Sequence, residues 1–384
     1  MANDKNFKVK NGLSAKRYLQ SSAAVAASDI DMSSGSYFTK TLSANTTFTF
    51  SNPPASGSAG SFALEVTGAD VTVGYDLANA AYDSVSFSVG SQSSVPTSIY
   101  IKPDGSGFYI LGDTNDRIYQ YSMSTAWDIS SSSYDSKNLL IGLQENQGKG
   151  MFFKDDGTKM YIVGSSGDSV ESWTLSTAWD ISTGSYDSVA FSTLAQDNDN
   201  KGLFFKPDGT KMYLCGRVST KIHEYNLSTA WDISTASFNQ SSNSFSAYET
   251  TPEALSISPD GNTLYLLGSG NDKVYEFSLS SSHDISSLTF VQDFSIASQE
   301  TTPQGMFFKD DGSKMYVVGY GNDTIYQYTT EASTPATITY PSSVKWSGAT
   351  TPDAPAGGEK DVYTFVTTDG GTTYYGKQAG DAVA

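Results

Sequence analysis

The sequence predicts an all-β chain built mostly from one fivefold repeat, and three observations carry that prediction. A turn of the type KPDG or KDDG returns with its glycine at Gly105, Gly157, Gly209, Gly261 and Gly312, spaced 52, 52, 52 and 51 residues apart. Chance does not produce such a series, and repeats at this spacing mark stacked supersecondary units. Between the turns run short segments in which apolar and polar residues alternate with period two, as a sheet with two unlike faces requires. The third observation is residue choice: Ser, Thr, Gly and Tyr dominate over Ala, Leu, Glu and Lys, which favours strands and turns. With 384 residues, 38% hydrophobic and 13% aromatic, the chain is long enough for two or three domains with real cores.

Each repeat follows one order. An apolar first strand ("GMFFK", "GLFFK", "ALSIS") leads into the turn, then a second strand ("KMYIVG", "KMYLCG", "TLYLLG"). A short polar loop and a third strand ("KIHEYNLS", "KVYEFSLS", "TIYQYTT") follow. Next comes "TAWDIS", at Trp127, Trp179 and Trp231, with "SSHDIS" in the fourth unit, and a fourth strand such as "SYDSVAFS" at 185–192. Four antiparallel strands per unit of roughly 50 residues define a β-propeller blade. Five copies of strands one to three are present, but only four fourth strands follow them. The missing one stands ahead of the array, as "AYDSVSFS" at 81–88. Residues 82–88 are therefore expected to complete the fifth blade beside residues 324–329, so that both ends of the array clasp the ring and no bare edge remains.

The repeats resemble bacterial and phage propeller repeats of the form "FFKPDGTKMYxxG…YxLSTAWDISTAS", over residues 82–330. The flanking segments, "FTKTLSANTTFTFSNPP" and "TITYPSSVKW…DVYTFVTTDGGTTYYG", read as strands and turns, and neither is comfortable as a domain alone. Joined, they resemble one continuous domain of tail-fibre-like structural proteins of tailed bacteriophages of cyanobacteria and marine bacteria. The opening "FKVKNGLSAKRYLQ" resembles the segment by which such fibres attach to the virion, with Lys8, Lys10, Asn11, Lys16 and Arg17 as anchor residues. These resemblances imply an arm over 1–29, a small discontinuous β-sandwich-like domain over 30–75 with 331–384, and a five-bladed propeller over 76–330 inserted in it. Because a closed propeller brings its ends together, such an insertion costs the host domain little. They further imply a homotrimer on the exterior of a phage head or tail, assembled in the host cytoplasm and held to other virion proteins through the arm.

The formal charge of −18 argues against nucleic acid and against an anionic membrane surface. Residues 1–20 hold Lys5, Lys8, Lys10, Lys16 and Arg17 against Asp4, so a basic arm precedes an acidic body. It either docks on an acidic partner or is a solvated terminus. Cys215 is the single cysteine, which excludes an intrachain disulfide. No apolar run approaches a membrane span and "MANDKNFKVK" lacks the apolar stretch of a signal peptide, so a soluble protein made in the cytoplasm is expected.

Candidate sites cluster at one mouth of the propeller. Six residues before each first strand's leading apolar residue stand Ser93, Glu145, Asp197, Glu249 and Glu300. Four carboxylates in such a ring suit a hard cation such as structural calcium, or a sugar hydroxyl. Alternatively one ancestral loop was copied with its carboxylate accepting backbone hydrogen bonds. The loops between second and third strands open on the same side, and their variable positions Asp113, Arg217 and Tyr320, with Tyr248 nearby, suit either a recognition surface or solvated turns. Trp127, Trp179 and Trp231 suit sugar stacking, or packing between blades. "DNDNKG" at 197–202 imitates a calcium loop with Asp208 in twelfth place, but Lys201 occupies a ligand position. His223 and His283 are the only histidines, and no nucleophile elbow, zinc-protease or nucleotide-binding motif occurs.

The expectation from sequence is thus a non-enzymatic, tail-fibre-like virion protein whose propeller head recognises a host polysaccharide or outer-membrane protein. No cofactor is expected. A capsid or tail decoration protein without receptor binding is the alternative, and a glycan-cleaving tailspike the third reading.

Overall fold

A computed structural model describes residues 22–383. The chain divides into two compact units, residues 73–332 and residues 22–72 with 333–383.

The larger unit is a five-bladed β-propeller, each blade a four-stranded antiparallel sheet. In the first blade the strands are Pro96–Ile101, Gly107–Gly112, Arg117–Met123 and Ser132–Leu140, numbered outward from the axis. The fifth blade takes Pro303–Phe308, Lys314–Gly319 and Thr324–Thr329, and its outer strand is Ala81–Ser88. Register runs from Thr324 opposite Ser88 to Thr329 opposite Ala81. The orphan strand closes the ring as its position in the sequence predicts.

The borrowed piece begins earlier than Ala81. Trp127, Trp179, Trp231 and His283 each hold a left-handed backbone, with φ of 66, 65, 67 and 59°, and the fifth such position is Tyr75, at 64°. Each precedes an aspartate, and in four of the blades that aspartate caps a single 3-10 turn: Asp76, Asp128, Asp180 and Asp232 each accept from the backbone N–H two residues on. "YDLANAAYDSV" is therefore "WDISTGSYDSV" in altered spelling.

These five positions also join the blades. The buried second-strand tyrosine of each blade donates its hydroxyl to the carbonyl at that position in the next: Tyr109 to Trp179 (2.6 Å), Tyr161 to Trp231 (2.5 Å) and Tyr213 to His283 (3.0 Å). Tyr265 reaches Tyr75 (2.7 Å) and Tyr316 reaches Trp127 (2.7 Å), so the circuit is complete. Burial pushes all five phenols up, keeping each a protonated donor.

The innermost strands approach one another closely, which explains their small third residue. A Cβ on Gly150 would lie 2.6 Å from the Lys201 carbonyl oxygen, and one on Gly305 would lie 2.8 Å from Ser98 Cα. This convergence leaves a narrow axial channel.

The smaller unit centres on a six-stranded sheet whose middle pair is Gly60–Thr67 and Lys360–Thr367, antiparallel over their whole length. Its core of Phe38, Phe48, Phe62, Leu64, Tyr363 and Phe365 draws on both halves of the sequence, so neither half buries its apolar face alone.

Candidate functional site

The axial channel is a cavity of ≈ 310 Å³ lined by the innermost strands. That is near the lower end of small-molecule sites. At the mouth where those strands begin, their second residues form a ring of Thr97, Lys149, Lys201, Glu253 and Gln304. Lys149 and Glu253 line the cavity itself. The Lys149 ammonium is 2.8 Å from Asp113 Oδ2, and the Lys201 ammonium is 2.8 Å from Asp199 Oδ1. Arg217 stands 4.0 Å from the other oxygen of Asp199. Glu253 is 5% exposed and accepts 2.7 Å from the Ser269 hydroxyl. Burial pushes the Glu253 carboxyl up, while the Ser269 hydroxyl and the charges of Lys201 and Arg217 pull it partly back.

The carboxylates picked out by repetition sit beside this mouth but do not face the cavity. Glu145 accepts from the N–H groups of Gln147 (2.7 Å) and Gly167 (3.0 Å), and Asp197 from those of Asp199 (2.9 Å) and Ser219 (2.7 Å). Glu249 takes the N–H of Thr251 (2.7 Å), and Glu300 those of Thr302 (2.9 Å) and Gly321 (3.1 Å). All four are buried, and Ser93 accepts from Val95 in the first blade. Each anchors an incoming loop to its own blade. Among the described residues no group of three or more His, Cys, Asp or Glu is arranged to hold a metal ion.

The variable loop residues divide. Asp113 and Arg217 belong to the charged mouth through Lys149 and Asp199. Tyr248 is 40% exposed and stacks on Phe290 at 4.4 Å, whereas Tyr320 is 44% exposed on its loop. The repeat tryptophans are wedged between blades: Trp179 stacks on Phe153 and Trp231 on Phe205. Asp208 serves its own turn, accepting from Lys206 and Thr210, and His223 is buried between the Ser219 and Ser241 hydroxyls. Lys8, Lys10, Asn11, Lys16 and Arg17 lie outside the described residues.

Sequence reasoning missed Lys149, Lys201 and Glu253. Their signal was available, since the second residue of the first strand changes in charge around the ring, through Thr97, Lys149, Lys201, Glu253 and Gln304.

The family model described as lactonase, 7-bladed beta-propeller matches residues 156–347, half of the chain. No curated protein matches. Among solved structures, a Bacteroides uniformis protein assigned as a 6-phosphogluconolactonase is 13% identical, with 62% of this chain and 69% of that one covered and a TM-score of 0.40. The periplasmic gluconolactonase of Pseudomonas aeruginosa is 15% identical over 61% of this chain and 66% of that one, with a TM-score of 0.39.

The family match corrects the reading drawn from the tail-fibre resemblance. A virion fibre, a host-receptor head, a decoration protein, a location on a phage particle and the absence of enzymatic activity are all overturned by membership in a family of lactonases. The physical reason lies in what the resembling words do. "FTFS" and "VYTFVT" supply core aromatics such as Phe48, Tyr363 and Phe365, and "TAWDIS" supplies the packing between blades. Words of that kind specify sheets, whichever protein carries them. The chain belongs to the lactonase family of seven-bladed β-propellers, and it closes its own ring with five blades.

Proposed function

We propose that this protein hydrolyses a cyclic ester at the charged mouth of its channel, with Glu253 as general base. The observation that carries the reading is the placement of Glu253 and Lys149 on the wall of one cavity whose remaining lining is largely apolar apart from Asp155 and Asp310. A buried carboxylate with a raised pKa is a stronger base once ionised, and a nearby ammonium stabilises a developing oxyanion best where water is scarce.

In the proposed reaction a water molecule attacks the lactone carbonyl carbon while Glu253 takes one of its protons. Negative charge gathers on the carbonyl oxygen, facing the Lys149 ammonium. The ring C–O bond then breaks, and the protonated Glu253 returns its proton to the departing ring oxygen. The product is an open hydroxy acid, which ionises in water. Asp113 holds the Lys149 ammonium in place and Ser269 holds the Glu253 carboxylate.

Proton release on adding glucono-δ-lactone or its 6-phosphate, the type of substrate named for the two structural neighbours, tests the reading. Acceleration over the spontaneous rate is expected, with kcat/KM rising with pH through a pKa above the ordinary glutamate value of 4.5. Glu253→Gln should lower kcat by about 10²–10⁴-fold, the usual contribution of a general base. Full activity in that variant, with its fold intact by circular dichroism, overturns the assignment.

A further inference from the structure

Below the charged mouth the channel passes through a collar formed by the fifth residue of each innermost strand: Tyr100, Phe152, Phe204, Ser256 and Phe307. Neighbouring rings meet edge to face. Phe307 lies 5.3 Å from Tyr100, Tyr100 lies 5.4 Å from Phe152, and Phe152 lies 5.6 Å from Phe204. Four blades thus give an unbroken aromatic wall, and the fourth blade gives a serine where the ring of contacts is interrupted. The Tyr100 hydroxyl is already committed to the Phe153 carbonyl at 3.1 Å. No hydrogen bond among the described residues engages the Ser256 hydroxyl, so the notch carries the free polar group of the collar.

Ser256 and Glu253 belong to one strand, Pro252–Ile257, three residues apart. At the strand rise that separation is about 10 Å along the channel. A ligand held at the mouth by its ester therefore has about 10 Å of channel beneath it before it meets the aromatic collar, and Asp155 and Asp310 line the same cavity where the innermost strands end. A polyol would place hydroxyl groups against phenyl faces, at the cost of their hydration. An alkyl or aryl chain loses nothing there and removes apolar area from water.

The structure assigns the collar as a tail pocket: the substrate is a lactone bearing an apolar side chain, threaded past the Ser256 notch. That the head group is a lactone rests on the hydrolytic reading above; the tail pocket rests on the collar. Ser256 is then a specificity-determining residue, because phenylalanine at that position would complete the wall on the fifth side. The substitution suits the blade, since three other blades already carry phenylalanine there.

The test uses the full chain and γ-lactones from γ-butyrolactone upward, with unbranched tails lengthened one carbon at a time. Expected is a gain in kcat/KM of about fourfold per methylene buried between the collar rings, setting in once the tail is long enough to reach the collar. Ser256→Phe should abolish the gain, whereas Phe204→Ser, which opens a second side, should extend it to longer tails. In parallel, calorimetry measures binding of alkyl-substituted tetrahydrofurans, which have no carbonyl to hydrolyse. Wild type and Glu253→Gln should bind them alike, and Ser256→Phe should not. Turnover of short lactones with no dependence on tail length overturns the tail pocket and spares the hydrolytic reading. Tail-dependent ether binding lost in Ser256→Phe, with no lactone turned over, spares the pocket and overturns that reading. If neither appears, both fall.

Discussion

Tyr316→Phe tests whether the ring is closed by the seam between fifth and first blades. Tyr316 is fully buried, and its hydroxyl donates 2.7 Å to the Trp127 carbonyl of the next blade. Phenylalanine keeps the ring and its packing and removes one oxygen, so almost the whole effect is the carbonyl left without a partner. Such a loss costs about 1–3 kcal/mol. Tyr161→Phe is the control, because its bond to Trp231 has the same geometry at a seam inside the array. Guanidinium unfolding followed by tryptophan fluorescence reads the propeller, which holds Trp127, Trp173, Trp179 and Trp231, while Trp346 lies in the smaller unit. Both variants should unfold earlier by similar free energies with unchanged slopes. A silent Tyr316→Phe beside a costly Tyr161→Phe would mean the fifth blade does not grip the first in solution, and the clasp argument would fail with it.

Two further outcomes follow from buried titratable groups. Glu171 is 5% exposed, one of its oxygens has no hydrogen-bond partner, and burial followed by repulsion from Glu145 pushes its pKa from 4.5 up to about 7. Its folded-state pKa is raised, so the stability tied to its protonated form is full below 4.5 and is lost as pH climbs through 7. The span corresponds to a cost on the order of 3 kcal/mol. Glu171→Gln should flatten that slope in denaturation series across this range, and an undiminished slope would place its origin elsewhere. Cys215 is buried with its sulfur accepting 3.0 Å from the Gly202 N–H, and burial pushes its thiol up to about 12. A thiol reagent at neutral pH should label it only at the rate of unfolding, and rapid labelling of native protein would refute the packing described for the third blade.

The architecture was legible because a propeller repeats its physics. Each KPDG-type turn needs a glycine at positive φ, each blade seam needs an aromatic or a histidine over that glycine, and each blade needs a fourth strand. Counting these requirements located the missing strand at 81–88. Tyr75 escaped the count because three spelling changes hide its word: Tyr for Trp, Leu for Ile, and Ala-Asn for Ser-Thr. The backbone retains what the letters lose, since Tyr75 carries the same left-handed φ and accepts the same tyrosine hydroxyl as its tryptophan counterparts. The converse error came from the flanks. Alternating aromatics at Phe48, Phe50 and Phe62 describe a sheet core, and a likeness in core words was extended to a biological role that core packing does not encode.

The site was hard to read for a related reason. Repetition singled out Glu145, Asp197, Glu249 and Glu300, and repetition is what a structural acceptor shows, because every blade must fasten the same loop. A single ligand in an axial channel meets five equivalent strands and gains specificity only where they differ. Lys149, Lys201 and Glu253 against Thr97 and Gln304 is one such break in symmetry, and Ser256 against four aromatic rings is another. Both breaks lie on the innermost strands, and the fourth blade carries a member of each. In a ring of copies, chemistry belongs to the residues that depart from the copy, so the departures on the channel wall rank ahead of the conspicuous acids around it.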